Sequence, residues 1–312
     1  MQNSLDQHNC IDMPFDNEKV LIVGCGDLGI RAATLLARAG AQVFGARRNI
    51  SALTQPVKPL YMDLTKPETL AVVNEHCWHA IIITLTADEF TDAAYRATYV
   101  EGLKQLLQAI SSTSTDGTGS NVAKPLLLFA SSTSVYGQSD GSWVDERAPT
   151  QPSSFSGSAM LAAEQLLADS DCPSICIRYA GIYGPGRGMR LITQIRQGNI
   201  CRAKPVRYSN RIHVEDCARV LVFLIQRQRL QLGDQHDHSQ TYVAVDSEPV
   251  ELNQVMQWIA VELGVDPATL QAVEPPSRGG SKRCSNARLL AAGFKFDYPN
   301  YRTGYRPLLT VQ

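Results

Sequence analysis

Short apolar runs alternate with helical stripes of apolar residues over the first 180 positions of the chain. The runs predict six strands: VLIV (20–23), AQVFGA (41–46), LYMDL (60–64), AIIITL (80–85), PLLLFA (125–130) and SICIRY (174–179). A run that is apolar throughout, such as 80–85, is typical of a strand buried on both faces of a parallel sheet.

Apolar residues between these runs recur at helical spacing. One stripe comprises Leu28, Ala32, Leu35, Leu36 and Ala39, and a second comprises Val100, Leu103, Leu107 and Ile110. Further helices are predicted from Pro67 to about His76 and over roughly 157–169. Because strand and helix alternate, the pattern predicts an α/β fold with a doubly wound parallel sheet and right-handed crossovers.

The rest of the chain is more mixed. It contains a helical stripe over 214–225, a strand-like run TYVAVD (241–246) and an amphipathic helix over 252–263. We predict a flexible N-terminal segment at 1–18, a sheet domain at 19–183 and a smaller substrate lobe at 184–312, whose segment 211–246 returns to the sheet. The Ser/Thr/Gly-rich stretch 111–121 predicts a loop.

Composition narrows the function classes. Hydrophobic residues make up 44% and charged residues 19%, with a formal net charge of -1, so the chain is predicted to be globular and gives no sign of a nucleic-acid partner. Apolar runs fall short of the roughly 20 residues that span a bilayer, and residues 1–10 lack the order of a signal peptide. We expect a cytoplasmic protein with a small-molecule substrate, and a homodimer is one option for its assembly.

Cysteine and histidine do not follow metal-site spacing. None of the eight cysteines forms a CxxC pair, so we interpret them as reduced and mostly buried. The pairs His76/His79 and His236/His238 lack Cys or His partners at zinc spacing, and no metal site is predicted.

A glycine motif follows the first predicted strand and begins the first helix. In VGCGDLG (23–29), Gly24, Gly26 and Gly29 have GxGxxG spacing. The first glycine permits the tight turn, the second lets the backbone approach a pyrophosphate, and the third allows close helix–strand packing. The free amides at the helix N-terminus favour phosphate. The domain at 19–183 is therefore predicted to be an NAD(P)-binding Rossmann domain. Its predicted cofactor contacts also include Cys25, Asp27, Leu28 and Thr84.

The end of the second strand bears on which nucleotide is bound. An NAD site usually has Asp or Glu there for the ribose 2′-OH, whereas this chain has Ala46 followed by Arg47 and Arg48. Guanidinium groups suit a 2′-phosphate, so we expect NADP(H) to be preferred, although NAD(H) is also possible. The alternative is that both arginines are solvated surface residues. Asp63, after the third strand, either meets the adenine amine or caps a helix.

Several segments carry a family resemblance. They are ASSTSVYG (130–137), DERAP (145–149), RYAGIYGPGR (178–187), RIHVEDCARVL (211–221) and the C-terminal stretch 281–305. Together with the glycine loop, they resemble the extended short-chain dehydrogenase/reductase family, which includes NAD-dependent epimerases and dehydratases of nucleotide sugars. The ending resembles an atypical, extended-like subgroup, and the resemblance covers about residues 19 to 306.

The resemblance implies a catalytic Ser/Thr, a Tyr and Lys in YxxxK, and a supporting Asn. Ser132 stands at the serine position, whereas Ser156 stands at the Tyr position, Met160 at the Lys position and Tyr99 at the Asn position. A phenol needs a neighbouring cation to act near neutrality, so the usual acid/base pair is missing.

Other residues are candidates for the missing roles. The candidates for a replacement phenol are Tyr99, Tyr136, Tyr179 and Tyr183, with core packing as the alternative for each. Glu164 is expected to be an exposed or structural carboxylate. Gly181 replaces the family's substrate-binding Asn, which weakens the case for a sugar nucleotide, and either Arg187 or Arg211 could meet an anionic group.

Three functional hypotheses follow. The first is an NADP(H)-dependent oxidoreductase or epimerase-like enzyme in which Ser132 polarises the reacting oxygen of a small hydroxyl or carbonyl compound. The second is a degenerate NADP(H)-binding sensor or interaction protein, favoured by the loss of YxxxK. The third, a hydroxyacid-type dehydrogenase, fits the glycine spacing but not the segments 130–137 and 182–186.

Overall fold

The structure is a computed structural model that describes residues 14–112, 123–230, 238–274 and 280–310. Its strands are β1 (Lys19–Val23), β2 (Gln42–Arg47), β3 (Lys58–Tyr61), β4 (Ala80–Ile83), β5 (Leu126–Ser132), β6 (Trp143–Val144), β7 (Ser174–Tyr179), β8 (Gly181–Tyr183), β9 (Asn199–Cys201), β10 (Tyr208–Ser209), β11 (Arg211–His213), β12 (Ser239–Ala244), β13 (Val250–Glu251), β14 (Gln271–Val273) and β15 (Arg283–Cys284). Seven of them form one parallel sheet, in the order β12-β7-β5-β4-β1-β2-β3.

The helices are α1 (Asp27–Arg38), α2 (Asp92–Tyr95), α3 (Leu103–Ser112), α4 (Phe155–Ala168), α5 (Arg190–Arg196), α6 (Val214–Leu230), α7 (Leu252–Glu262), α8 (Ala287–Ala291) and α9 (Tyr301–Leu309). A π-helical segment, Arg96–Gly102, joins α2 to α3. The helix predicted to begin at Pro67 is a 3₁₀-helix, Pro67–Glu75.

The prediction of a doubly wound parallel α/β fold is confirmed. From β1 the chain winds outward to β2 and β3, and then crosses back to β4 and continues outward to β12 on the other side. The loops that follow β1 and β4 therefore diverge, and a cleft opens at the carboxyl ends of these two strands. The topology places the glycine loop at this cleft.

The third strand is displaced from its predicted position. It was expected at 60–64 and lies at Lys58–Tyr61, at the edge of the sheet. An edge strand tolerates Pro59, which lacks an amide hydrogen. The strand ends early because Asp63 closes a turn with its carboxylate, which accepts hydrogen bonds from Thr65.

Apolar side chains cover both faces of the sheet. The β4 strand is fully buried, as its continuous apolar run predicts. On one face the sheet packs with α1 and α6, and on the other with α3 and α4. A third apolar cluster, built around α5, α7 and α9, belongs to the C-terminal part of the chain.

The predicted flexible segment 1–18 is too long at its C-terminal end. Phe15 is fully buried in the core beside α1, and its amide donates to the Ala39 carbonyl at 2.7 Å. The guanidinium of Arg229 lies over its ring. The apolar residues scattered through this mostly polar segment do not show which of them reaches the core, so the pattern could not identify this contact. Residues 1–13, and all but the start of the predicted loop 111–121, lie outside the described residues.

The predicted strand near 241–246 is β12, which pairs in parallel with β7. The division of the chain at residue 183 stays a prediction. Among the described helices, none is long and apolar enough to cross a membrane.

Candidate functional site

The three glycines of the loop after β1 meet different surroundings. Gly24 has a φ of 75°, and a Cβ there would lie 2.9 Å from the Thr84 carbonyl oxygen. A Cβ on Gly29 would lie 3.0 Å from Cγ2 of Ile22, so α1 packs directly on β1 at that point. A Cβ on Gly26 would meet nothing closer than 3.8 Å. The chain itself leaves open the space beside Gly26, as the approach of a pyrophosphate would require.

The N-terminus of α1 provides amides for an anion. Its N-cap is Gly26, which has no side chain to cap the amides of the first turn. The first amides of a helix lack intrahelical partners and carry a partial positive charge, so this end fits a phosphate group. The Thr84 hydroxyl donates to the Gly24 carbonyl at 3.1 Å and thereby holds the loop in place.

The other loop residues assigned to the cofactor face different ways. Cys25 and Leu28 are buried in the core, so only their backbone atoms can meet a ligand. Burial raises the pKa of the Cys25 thiol to about 11, more than the nearby Arg47 lowers it. Asp27 is exposed, and its carboxylate lies 3.0 Å from Nε of Arg31 and 3.5 Å from Nε of Arg187.

A cleft of about 470 Å³ lies above the carboxyl ends of the central strands. Its lining includes Gly24, Gly26, Arg47, Arg48, Asp63 and Asp88. The structure thus brings together residues from the ends of β1, β2 and β3 that the sequence assigns to one nucleotide site, together with Asp88 from the loop after β4. Thr84, also assigned to the cofactor, does not line this cleft.

The two arginines of the cleft have different partners. Nη1 of Arg47 donates to the Cys25 carbonyl at 3.1 Å, which ties Arg47 to the glycine loop. Arg48 forms a two-point ion pair with the exposed carboxylate of Asp88. Burial, the largest single effect, raises the pKa of Asp63, but hydrogen bonds from Thr65 together with the charges of Lys66 and Arg48 lower it overall. This carboxylate is therefore charged, and it is hydrogen-bonded within its own turn.

Asp88 was missed from the sequence. It lies 40 positions from Arg48, in a polar stretch that follows the β4 run. One signal could have found it: loops at the carboxyl ends of parallel strands converge on one edge of the sheet. The rule does not say which side chain of the loop faces the cleft, and that depends on the tertiary structure.

Ser132 lies at the carboxyl end of β5 and is half-buried. Its Oγ accepts a hydrogen bond from the Ser134 amide at 3.1 Å and caps the short 3₁₀-helix Thr133–Val135. The start of α4 packs against this turn, since a Cβ on Gly157 would lie 2.3 Å from the Ser134 carbonyl oxygen. The turn that carries Ser132 is therefore in contact with the helix turn that carries Ser156.

The substituted positions carry no acid/base pair. Oγ of Ser156 lies 3.1 Å from Oγ of Ser154, the N-cap of α4. Met160 is 5% exposed and belongs to the apolar core on this face of the sheet. Tyr99 is buried and donates to the Leu85 carbonyl at 3.2 Å, and burial raises its pKa to about 12.

The other phenols considered as replacements are also buried. The Tyr136 hydroxyl donates to the Asp145 carbonyl at 2.7 Å, and burial raises its pKa to about 12 despite nearby Arg178. Burial raises the pKa of Tyr179 and Tyr183 further. A phenol whose pKa is raised stays protonated at neutral pH, which favours the packing alternative for these side chains over the role of a base.

Glu164 is structural, one of the two alternatives predicted for it, and it is buried. It accepts hydrogen bonds from the Ser131 hydroxyl at 2.5 Å and from Nη2 of Arg178 at 2.6 Å. Nη1 of Arg178 donates in turn to the Tyr136 hydroxyl at 2.8 Å. This network joins β5, α4 and β7 beneath the Ser132 turn.

Arg211, one of the two arginines suggested for an anionic group, is buried in the structure. Its Nε lies 3.0 Å from the Asp246 carboxylate, and its Nη2 donates to the Glu248 carbonyl at 2.6 Å. Arg187 is partly exposed and stays a candidate for an anionic group.

Metal-ligating residues do not gather at this cleft. The described part of the chain has no group of three or more His, Cys, Asp or Glu side chains placed to hold a metal ion. His76 packs among aromatic rings, His79 lies 3.3 Å from Glu18, and Nε2 of His238 lies 2.6 Å from the Ser170 carbonyl. His236 lies outside the described residues.

The sheet order and glycine loop define a Rossmann-type nucleotide-binding protein, and sequence comparison gives the family. Residues 20–236 match the NAD dependent epimerase/dehydratase family, and the chain belongs to that family. It is similar over 94% of its length to the solved structure of a candidate NAD-dependent epimerase/dehydratase from Methylobacillus flagellatus. The identity is 35%, the TM-score is 0.74 and 98% of that chain is covered.

Two further structures extend the comparison. A functionally unknown conserved protein from Silicibacter pomeroyi DSS is 26% identical, with a TM-score of 0.67 and coverage of 94% of this chain and 98% of the other. A dTDP-glucose 4,6-dehydratase from Bacillus anthracis, in complex with NAD, is 15% identical with a TM-score of 0.74 and coverage of 94% and 95%; at this identity the likeness concerns the fold alone. Comparison with curated proteins finds no match.

Proposed function

We propose that this protein is an NADP(H)-dependent oxidoreductase or epimerase-like enzyme that acts on a small hydroxyl or carbonyl compound. One observation carries the choice of nucleotide: Arg47 and Arg48 line the cleft beside Gly26, while the residue at the end of β2 that precedes them is Ala46. A guanidinium binds a phosphate by charge-assisted hydrogen bonds, whereas a ribose 2′-OH is usually held by a carboxylate.

The residues of the cleft fit a dinucleotide. The space beside Gly26 and the amides of α1 suit its pyrophosphate, and the arginines suit a phosphorylated ribose. A nicotinamide, when bound, gives or takes a hydride. The residues of the chain would bind the cofactor, orient the substrate and polarise its reacting oxygen.

Ser132 is the residue proposed to polarise the reacting oxygen. Its Oγ is held by the Ser134 amide, so its hydroxyl hydrogen is available in a defined place for a carbonyl or hydroxyl oxygen. Proton transfer then needs a group other than the buried phenols, and we propose a water relay or a group of the substrate itself.

The cofactor preference is tested by titration. We expect the wild type to bind NADPH more tightly than NADH in calorimetry. The charge reversal Arg47→Glu/Arg48→Glu should remove that preference, because it replaces two cations beside the 2′-phosphate with anions. The control is Arg202→Glu, an exposed arginine that pairs with Glu274 outside the cleft. Equal affinities in the wild type, or a preference that survives the double reversal, would contradict the proposal.

A second function, binding of NADP(H) without turnover, is favoured by the core position of Met160. We expect Met160→Lys alone to destabilise the fold by roughly 2 kcal/mol or more, because it places an unpaired ammonium among apolar side chains.

The Ser156→Tyr/Met160→Lys variant should gain NADPH oxidation against ketones or nucleotide sugars if only the acid/base pair is missing. Fast wild-type turnover that this variant abolishes would instead exclude the binding-only function.

A further inference from the structure

The Arg48–Asp88 ion pair spans the cleft. Arg48 follows β2 and Asp88 follows β4, and β1 with its glycine loop lies between these two strands. Nη1 of Arg48 donates to Oδ2 of Asp88 at 2.8 Å, and Nη2 makes a second hydrogen bond to Oδ1. The carboxylate therefore uses two donors on one edge of the guanidinium.

A phosphate uses the same donors. Carboxylate and phosphate both bind a guanidinium through parallel N–H···O bonds, so one edge of the group serves only one of them at a time. The other charged groups of the cleft hydrogen-bond elsewhere: Arg47 to the Cys25 carbonyl, and Asp63 to Thr65. The charge of Asp63 acts on Arg48 as well, but its hydrogen bonds go to its own turn. Asp88 is thus the carboxylate placed where it competes directly for Arg48.

The pair is easily broken. The side chains of Arg48 and Asp88 are 57% and 64% exposed. Exposed ion pairs contribute about 0–1 kcal/mol, so a bound phosphate can displace the carboxylate. The need to displace Asp88 lowers the apparent affinity for the phosphate, because only molecules in which Arg48 is released from Asp88 bind it.

We propose that Asp88 is a specificity-determining residue that competes with the 2′-phosphate of NADP(H) for Arg48. This inference rests on the proposed function and adds a residue that limits the preference for NADP(H). Asp88 weakens binding of the phosphorylated nucleotide while leaving the binding of NAD(H) nearly unchanged.

Two nucleotide fragments test the proposal by binding alone. Adenosine 2′,5′-bisphosphate carries the 2′-phosphate, and adenosine 5′-monophosphate lacks it. By calorimetry, Asp88→Asn should bind the bisphosphate about two- to sixfold more tightly than the wild type, as expected for release of an exposed pair. Affinity for the monophosphate should change by less than about twofold. NADPH and NADH should show the same contrast.

A matched control comes from Glu274, which is 67% exposed and pairs with Arg202 outside the cleft. Glu274→Gln removes the same charge and should leave both affinities unchanged. The effect of Asp88→Asn should also disappear in an Arg48→Gln background, because the competition requires the guanidinium.

The outcomes separate the two claims. If the wild type binds none of the nucleotides, the proposed function fails and the inference fails with it. If they bind but Asp88→Asn leaves the ratio of bisphosphate to monophosphate affinity unchanged, only the inference is overturned. Weaker monophosphate and NADH binding by Asp88→Asn would also overturn it, since Asp88 would then hold the ribose 2′-OH.

Discussion

At the scale of single residues, Gly24 and Gly26 separate the needs of the fold from those of a ligand. Gly24 has a positive φ and contacts the Thr84 carbonyl, so a side chain there strains the chain itself. Gly26 has a φ of -94° and open space beside it, so a side chain there is compatible with the fold but would fill the space proposed for a pyrophosphate.

Alanine substitutions should therefore behave differently at the two positions. Gly24→Ala should lower the free energy of unfolding by about 1–3 kcal/mol, because it forces a non-glycine residue into a left-handed conformation against backbone atoms. Gly26→Ala should lower it less, by about 0.5–1 kcal/mol, because alanine is a poorer N-cap than glycine, while weakening NADPH binding about tenfold or more. Urea denaturation and calorimetric titration measure the two effects. Similar losses of stability in both variants would refute the claim that Gly24 serves the fold and Gly26 serves the ligand.

At the scale of elements, a buried ion pair and a serine hydrogen bond join two strands and a helix beneath the candidate site. Glu164 of α4 is hydrogen-bonded to Arg178 of β7 and to Ser131 of β5, and both charged side chains are 8% exposed. The bidentate geometry satisfies the carboxylate and the guanidinium together. Removal of one partner would leave a buried charge without compensation.

Glu164→Ala should destabilise the protein by about 3–5 kcal/mol, the usual cost of breaking a buried pair from one side. The apolar replacement Glu164→Met/Arg178→Met should recover most of that loss, because neither charge is then stranded. Glu274→Ala, at an exposed pair, should cost less than about 1 kcal/mol. The free energies come from urea denaturation, and a loss below about 1 kcal/mol for Glu164→Ala would argue against the pair's structural role.

At the scale of the whole molecule, the helix that follows the glycine loop is tied to the later part of the chain. Arg31 of α1 pairs with Glu215 at the start of α6 and donates to the Pro185 carbonyl at 3.2 Å. His213, two residues before Glu215, is stacked on Tyr298 with ring centroids 3.7 Å apart. Burial, and then the charge of Arg31, lower the pKa of His213 to about 4.

This histidine should make stability depend on pH. Below about pH 6.5 the unfolded chain binds a proton at His213, whereas the folded protein stays neutral there until about pH 4. Protonation therefore stabilises the unfolded state over this pH range. His213 should lower the free energy of unfolding by about 3 kcal/mol at pH 4 relative to pH 7. Denaturation curves for the wild type and His213→Gln between pH 4 and 7 measure the difference. Parallel curves over that range would show that the histidine does not titrate as expected.

Local pattern was sufficient for much of the fold and for part of the site. The apolar run at 80–85 identifies β4, and the motif at 23–29 identifies a turn whose glycines meet the surroundings that their spacing predicts. Both signals are contained in a few consecutive residues, whose geometry is set by backbone sterics and by burial on two faces of a sheet.

The doubly wound sheet, the glycine loop and the arginines after β2 can all be read from the amino-acid sequence, and so can the prediction that Ser156 and Met160 stand at the family's Tyr and Lys positions. Only the tertiary structure decided which residues these groups meet. Asp88 reaches Arg48, Arg178 reaches Glu164, and Phe15 reaches the core, each across separations in sequence that no local period spans. Periodicity reports which face of an element is buried. The identity of a polar partner depends on which loops and strands converge in space, and that is set by the packing of the whole chain.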